Sequence, residues 1–128
     1  MENMKVKLSM VWVFVLFNMI FADIVGFMNP GDLEKIVRGE VGIEITPELL
    51  LFFSVLLEIP IAMMLLSRIL TYRVNRWANI IAATITLIFV IGGGDTYYSY
   101  LFFASIETLG LLFIIWNAWN WTADEAQA

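Results

Sequence analysis

Four stretches of the sequence, residues 8–28, 47–68, 77–92 and 98–121, are runs of apolar side chains with few interruptions. A hydrocarbon core needs roughly 20 apolar residues in helical form to be crossed. Inside it every backbone N–H and C=O must be satisfied within the protein, which a helix does by itself. The remainder of the chain offers little to clothe a water-facing surface. Residues are 61% hydrophobic and 15% charged, whereas a soluble domain carries about 25% charged residues. The expected class is all-α: an integral membrane four-helix bundle, one domain of 128 residues, with the up-down order that short connections favour.

The punctuation between the runs refines this expectation. Lys5 and Lys7 form a short basic leader to the first run. That run is too long for a signal-peptide core, and Asn29-Pro30-Gly31 follows it instead of a small-residue cleavage site, so it reads as a retained span. Asn29-Pro30-Gly31 is a turn signal. Asp32 is placed to cap a short interfacial helix, residues 32–38 between spans 1 and 2, whose Leu33, Ile36 and Val37 share a face. Thr46-Pro47-Glu48 supplies an N-cap, a first-turn proline and a first-turn acid for span 2. Gly92-Gly93-Gly94-Asp95 ends the third and shortest run; Tyr97, Tyr98 and Tyr100 open the fourth, and Trp116, Trp119 and Trp121 close it, as interfacial aromatics do. The tail from Thr122 reads as solvated.

Bases set the expected orientation. The leader holds two and the connector between spans 2 and 3 holds Arg68, Arg73 and Arg76, against Lys35 and Arg38 in the first loop and none in the third. The positive-inside rule then puts both termini in the cytoplasm of a multi-pass cell-membrane protein. Arg68, Arg73, Arg76 and Asn79 read as an interfacial anchor facing lipid head groups. The Ala78, Ala82, Thr86 ladder reads as a close helix–helix contact.

The chain has no cysteine and no histidine, which removes thiolate nucleophiles, disulfide exchange and the usual zinc and haem ligand sets. No metal and no cofactor is assigned from the residues. The net charge is −5 and no basic patch is present, so no nucleic acid is expected as a partner. Carboxyls and tyrosines without a nucleophile arrangement specify no catalytic residue and no enzyme reaction.

The chemistry left is in the spans: Asp23, Glu58 and Glu107. An ionisable side chain near the middle of a span costs about 2.5 kcal/mol or more and by default marks a function. At 1.5 Å per residue, Glu58, Glu107 and Asn18 lie about 16, 14 and 15 Å from the outer ends of their spans, one common level, with Asp23 nearer the outer face. A protonated glutamate there could donate to Asn18. Ser54 lies one turn before Glu58, Ala104 and Gly110 flank Glu107, and Pro60 frees the carbonyl of Leu56. The expected site is a midplane cavity lined by Asn18, Ser54, Glu58 and Glu107, with Asp23 above it. The same residues also admit a purely structural use, as interhelical hydrogen-bonding groups.

The stretch Phe21-Ala22-Asp23-Ile24, the stretch Glu58-Ile59-Pro60-Ile61-Ala62 through Leu65-Leu66-Ser67-Arg68, and Asn75-Arg76-Trp77-Ala78-Asn79-Ile80 resemble a family of small prokaryotic four-span proteins of unassigned function. The likeness runs nearly the whole length and draws attention to Asp23, Glu58 and Asn79. More distantly, the order of span, surface helix, and span with a central glutamate and terminal arginine is similar to DoxX-like membrane proteins. That resemblance implies a link to quinone-dependent oxidation or to redox-enzyme partners.

Two functional expectations follow. One is a binder or transporter of a small-molecule or lipid-like ligand, gated by protonation of Glu58 and Glu107. The other is an accessory or scaffold subunit of a membrane complex, in which the acids set helix packing. Membrane lipids are partners in either case, and a homo-oligomer or a membrane-complex partner is compatible with both.

Overall fold

The computed structural model describes residues 2–28, 30–39, 46–92 and 98–122. Asn29, Glu40, Glu44, the third-loop residues from Gly93 to Tyr97 and the tail from residue 123 lie outside the described residues. Five helices follow one another: α1 (Glu2–Gly26), α2 (Asp32–Arg38), α3 (Pro47–Ile69), α4 (Tyr72–Gly92) and α5 (Tyr98–Trp119). No strand occurs among the described residues. The four long helices are each long and apolar enough to cross a membrane, and α2 is the short surface helix between the first two.

The helix ends show how local sequence sets the boundaries. Thr46 Oγ1 accepts from the Leu49 N–H at 3.1 Å, with Pro47 at the first position and Glu48 in the first turn. This satisfies an otherwise orphaned donor where the helix begins. At α2 the N-cap is Gly31, not Asp32, and no side chain caps it. Gly31 and Gly39 stand at φ +83° and +75° on either side of α2, a left-handed conformation that glycine adopts without steric cost. The seven-residue helix is therefore set off by sharp turns, with Glu34 and Arg38 ion-paired at 2.6 Å and Ile36 and Val37 exposed.

Two helices start earlier than their apolar runs. α1 includes the leader with Lys5 and Lys7, and α4 begins at Tyr72, so the α3–α4 connection is only Leu70 and Thr71. Arg73 and Arg76 therefore lie in the first turns of α4 instead of in a loop. Arginine is a good helix former, and Asn75 makes the tight turn possible. Its Nδ2 donates to the carbonyls of Ser67 (2.7 Å) and Leu70 (3.2 Å), serving acceptors that the end of α3 leaves open.

α1 and α4 each pack against both α3 and α5, so the four spans form a ring in chain order. Long-range contacts fix the antiparallel sense. Ser9 Oγ donates to Met64 O at 2.7 Å, Tyr72 OH to Trp121 O at 2.7 Å, and Lys7 Nζ reaches Asn117 Oδ1 at 3.5 Å. The start of α1, the end of α3, the start of α4 and the end of α5 thus share one end of the bundle.

The core is unlike that of a soluble bundle. α1 contributes Leu8, Trp12, Val15, Leu16, Met19 and Ala22, but α4 turns inward Asn75, Asn79, Ala82, Ala83, Thr86 and Val90. Its isoleucines Ile81, Ile85, Ile88 and Ile91 face outward. This is the arrangement lipid favours. Apolar surface gains nothing by leaving hydrocarbon, so small and polar residues gather where helices meet. Gly110 serves the same end, because a Cβ on it would stand 2.8 Å from Val15 Cγ2. The space next to Gly110 is thus occupied by α1 and is not open beside Glu107.

Candidate functional site

Polar side chains gather at the two ends of the bundle in different ways. At the base-rich end most are paired, with Trp121 Nε1 an exception that is buried without a hydrogen-bond partner among the described residues. Asn79 Oδ1 accepts from Trp12 Nε1 at 2.7 Å and from Ser67 Oγ at 3.2 Å, while its Nδ2 donates to Asn75 Oδ1 at 2.6 Å and Asn75 O at 2.9 Å. The Trp12–Asn79 bond crosses the ring between α1 and α4, which are not neighbours in it. Asn79, Asn75, Ser67 and Trp12 are fully buried. Asn79 is therefore corrected from an interfacial anchor to a core hub: it lies one turn inside Asn75, on the face of α4 that turns away from lipid. Arg76 is also engaged. Its Nε and Nη2 donate to the carbonyls of Ala118 and Trp119, each at 2.9 Å, and its guanidinium lies 5.4 and 5.5 Å from the rings of Trp77 and Trp119. A cation closing the last carbonyls of α5 is well matched to the negative end of that helix. Arg68 and Arg73 are exposed at the same end.

At the other end the structure holds a cavity of about 290 Å³ lined by Met19, Ala22 and Asp23 of α1, Phe53 and Leu57 of α3, Phe89 of α4, and Tyr100 and Glu107 of α5. All four spans contribute. Phe53 and Phe89 meet edge to face, with centroids 6.3 Å apart at 68°. Tyr100 OH donates to Val90 O at 2.6 Å, tying the start of α5 to the end of α4. Glu107 is 3% exposed, on the inward stripe of α5 with Gly110, Leu111, Ile114 and Ala118. Neither it nor Asp23 has a side-chain hydrogen bond or ion pair among the described residues, and no lysine or arginine lines the cavity. Asp23 is exposed, so the cavity joins an accessible acid to a buried one. Two like charges in an apolar space repel each other, and a proton or a bound cation relieves that repulsion.

The expected midplane constellation is not what the structure brings together. Glu107 and Asp23 share the cavity, while Asn18, Ser54 and Glu58 do not line it. Ser54 and Glu58 are exposed on the outer face of α3, in line with Leu51, Val55, Ile61 and Leu65. The reason is rotational. Pro60 is buried, and two residues along a helix amount to roughly 200° of turn, so Glu58 faces the opposite way. Asn18 and Ser54 fold back on their own helices, donating to Phe14 O and Leu50 O, each at 2.8 Å, and so have no need of a partner across the bundle. The sequence reading missed the aromatic walls, Phe53, Phe89 and Tyr100, and the Trp12–Ser67–Asn75 surroundings of Asn79. The Asn75 to Asn79 spacing, one turn apart at the start of a span, was the available signal for the second group.

Among the described residues no group of three or more acidic, cysteine or histidine side chains is placed to hold a metal ion. No curated protein and no solved structure matches the chain. A family model matches it from end to end, over residues 1–128, and the chain belongs to that family, DUF6326, a family of unknown function.

Proposed function

We propose that this multi-pass membrane protein binds a small molecule in the cavity between its spans and couples binding to the protonation of Asp23 and Glu107, as a small carrier or transporter does. One observation supports this most: a nearly fully buried carboxyl, Glu107, facing a cavity with no hydrogen-bond partner among the described residues. Interhelical hydrogen bonds in membranes stabilise by about 0.6 kcal/mol on average. Glu107 makes none among the described residues, so helix adhesion does not account for it. The reading places both termini in the cytoplasm of a cell membrane, because Lys5, Lys7, Arg68, Arg73 and Arg76 share one end of the bundle. Arg68 and Arg73 then meet lipid head groups, and the cavity lies in the outer half.

The absence of cysteine makes a direct test simple. Leu57→Cys is expected to react with a membrane-impermeant cationic thiosulfonate added outside cells, whereas Val55→Cys, on the lipid-facing side of α3, is expected to stay unmodified. Equal protection of both would remove the water-accessible cavity and the reading with it.

A second reading has its own observation. Glu58 stands about 16 Å from the start of α3, near the middle of the membrane, on the outside of the bundle. An acid facing lipid at that depth is costly, which favours a protein surface over α3, from a second copy or from a larger complex in which this chain is an accessory subunit. A redox character for such a complex is suggested by the DoxX-like resemblance alone. Copurification of a stable partner after mild solubilisation, lost in Glu58→Leu, is the expected result; a monodisperse monomer in both proteins would dismiss it.

A further inference from the structure

Resting on the cavity reading above, we infer that the ligand is a small lipophilic organic cation, an ammonium carrying an aromatic or alkyl group. The cavity presents two carboxyls, from α1 and α5, and three aromatic rings, from α3, α4 and α5, with no basic side chain. A cation placed between Asp23 and Glu107 meets opposite charge, and its apolar part meets ring faces and the side chains of Met19 and Leu57. Aromatic surroundings add attraction specific to positive charge, which is how quaternary ammonium groups are held elsewhere in proteins. An anion would be repelled, and a neutral ligand would leave both acids unmatched.

The donor set also speaks against an inorganic ion. A hard cation such as calcium takes roughly 6–8 oxygen ligands, whereas among the described residues this wall offers two carboxyls, one phenol already donating to Val90 O, and hydrocarbon. An organic ammonium needs charge and apolar contact more than a full oxygen shell. Size points the same way: about 290 Å³ is at the lower end of ligand pockets, roughly 300–1,000 Å³, and suits a single-ring amine better than a long-tailed lipid. Protons compete with such a ligand for the same groups. Among the described residues, the titratable side chains facing the cavity are Asp23 from α1 and Glu107 and Tyr100 from α5, while α3 and α4 contribute only Phe53, Leu57 and Phe89.

The test compares benzyltrimethylammonium with neopentylbenzene, its neutral isostere, on the full chain in detergent micelles, by ligand-induced thermal shift and equilibrium binding. The cation is expected to bind at least tenfold more tightly than the isostere. Glu107→Gln and Asp23→Asn should each erase that preference, and Glu58→Gln should keep it. Circular dichroism and monodispersity establish that each variant is folded, and two independent variants guard against the loss of one. If cation and isostere bind equally, and both remain unaffected by Glu107→Gln, the cation assignment is overturned while the cavity stands. If neither binds, the cavity reading falls with it.

Discussion

Replacing Asn79 with leucine is expected to cost the bundle about 2–4 kcal/mol and to lower its melting temperature in detergent by several degrees or more. The change leaves Trp12 Nε1, Ser67 Oγ and Asn75 Oδ1 without the partner that serves all three. A buried donor left unpaired costs about 1–3 kcal/mol, and individual interhelical bonds in membranes reach at most about 1.7 kcal/mol, so the loss of a hub exceeds the loss of a single bond. A double-mutant cycle provides the check. Trp12→Phe removes the indole donor while keeping most of the ring, so Asn79→Leu made in that background should cost clearly less than in the wild type. Equal costs in both backgrounds would mean that the cross-bundle bond contributes nothing.

Glu107→Leu should act in the opposite direction on stability. Glu107 is buried among apolar side chains and makes no compensating hydrogen bond among the described residues. Exchanging it for a residue that prefers hydrocarbon is expected to stabilise the protein by about 1–3 kcal/mol, seen as a raised melting temperature. The same variant should lose ligand binding entirely. Stability gained where function is lost is the usual sign of a site kept at the expense of the fold. A lower melting temperature for Glu107→Leu would instead make Glu107 a structural residue and return it to the role of helix adhesion.

The contrast between these two residues also shows what a sequence of this kind discloses. The spans, the surface helix at Asp32–Arg38 and the Thr46-Pro47 start of α3 were legible because length, hydropathy and capping are local properties. Position along each helix follows from the fixed rise per residue. Rotation about each helix axis does not. In a soluble bundle the apolar stripe reveals the inward face, but in lipid both faces are apolar, and the pattern of α3 does not distinguish Pro60, Met63 and Ser67 inside from Ser54 and Glu58 outside. α4 was a partial exception: Ala82 and Thr86 of the expected small-residue ladder are buried, but Asn79, expected at the interface, lies on the same inward side. The aromatic walls of the cavity gave no sequence signal, since Phe53 and Phe89 resemble any lipid-facing phenylalanine until the spans are packed.

Proton release on ligand binding tests the central claim most directly. The purified chain in weakly buffered detergent solution, with a pH-sensitive dye, would be titrated with benzyltrimethylammonium from mildly acidic to mildly alkaline conditions. If the cation displaces protons held by Asp23 and Glu107, wild type and Glu58→Gln should release protons in proportion to ligand bound over part of that range, and Glu107→Gln should release markedly fewer. Binding without proton release at any pH, or release that disappears in Glu58→Gln and persists in Glu107→Gln, would contradict the assignment of the site to the cavity between Asp23 and Glu107.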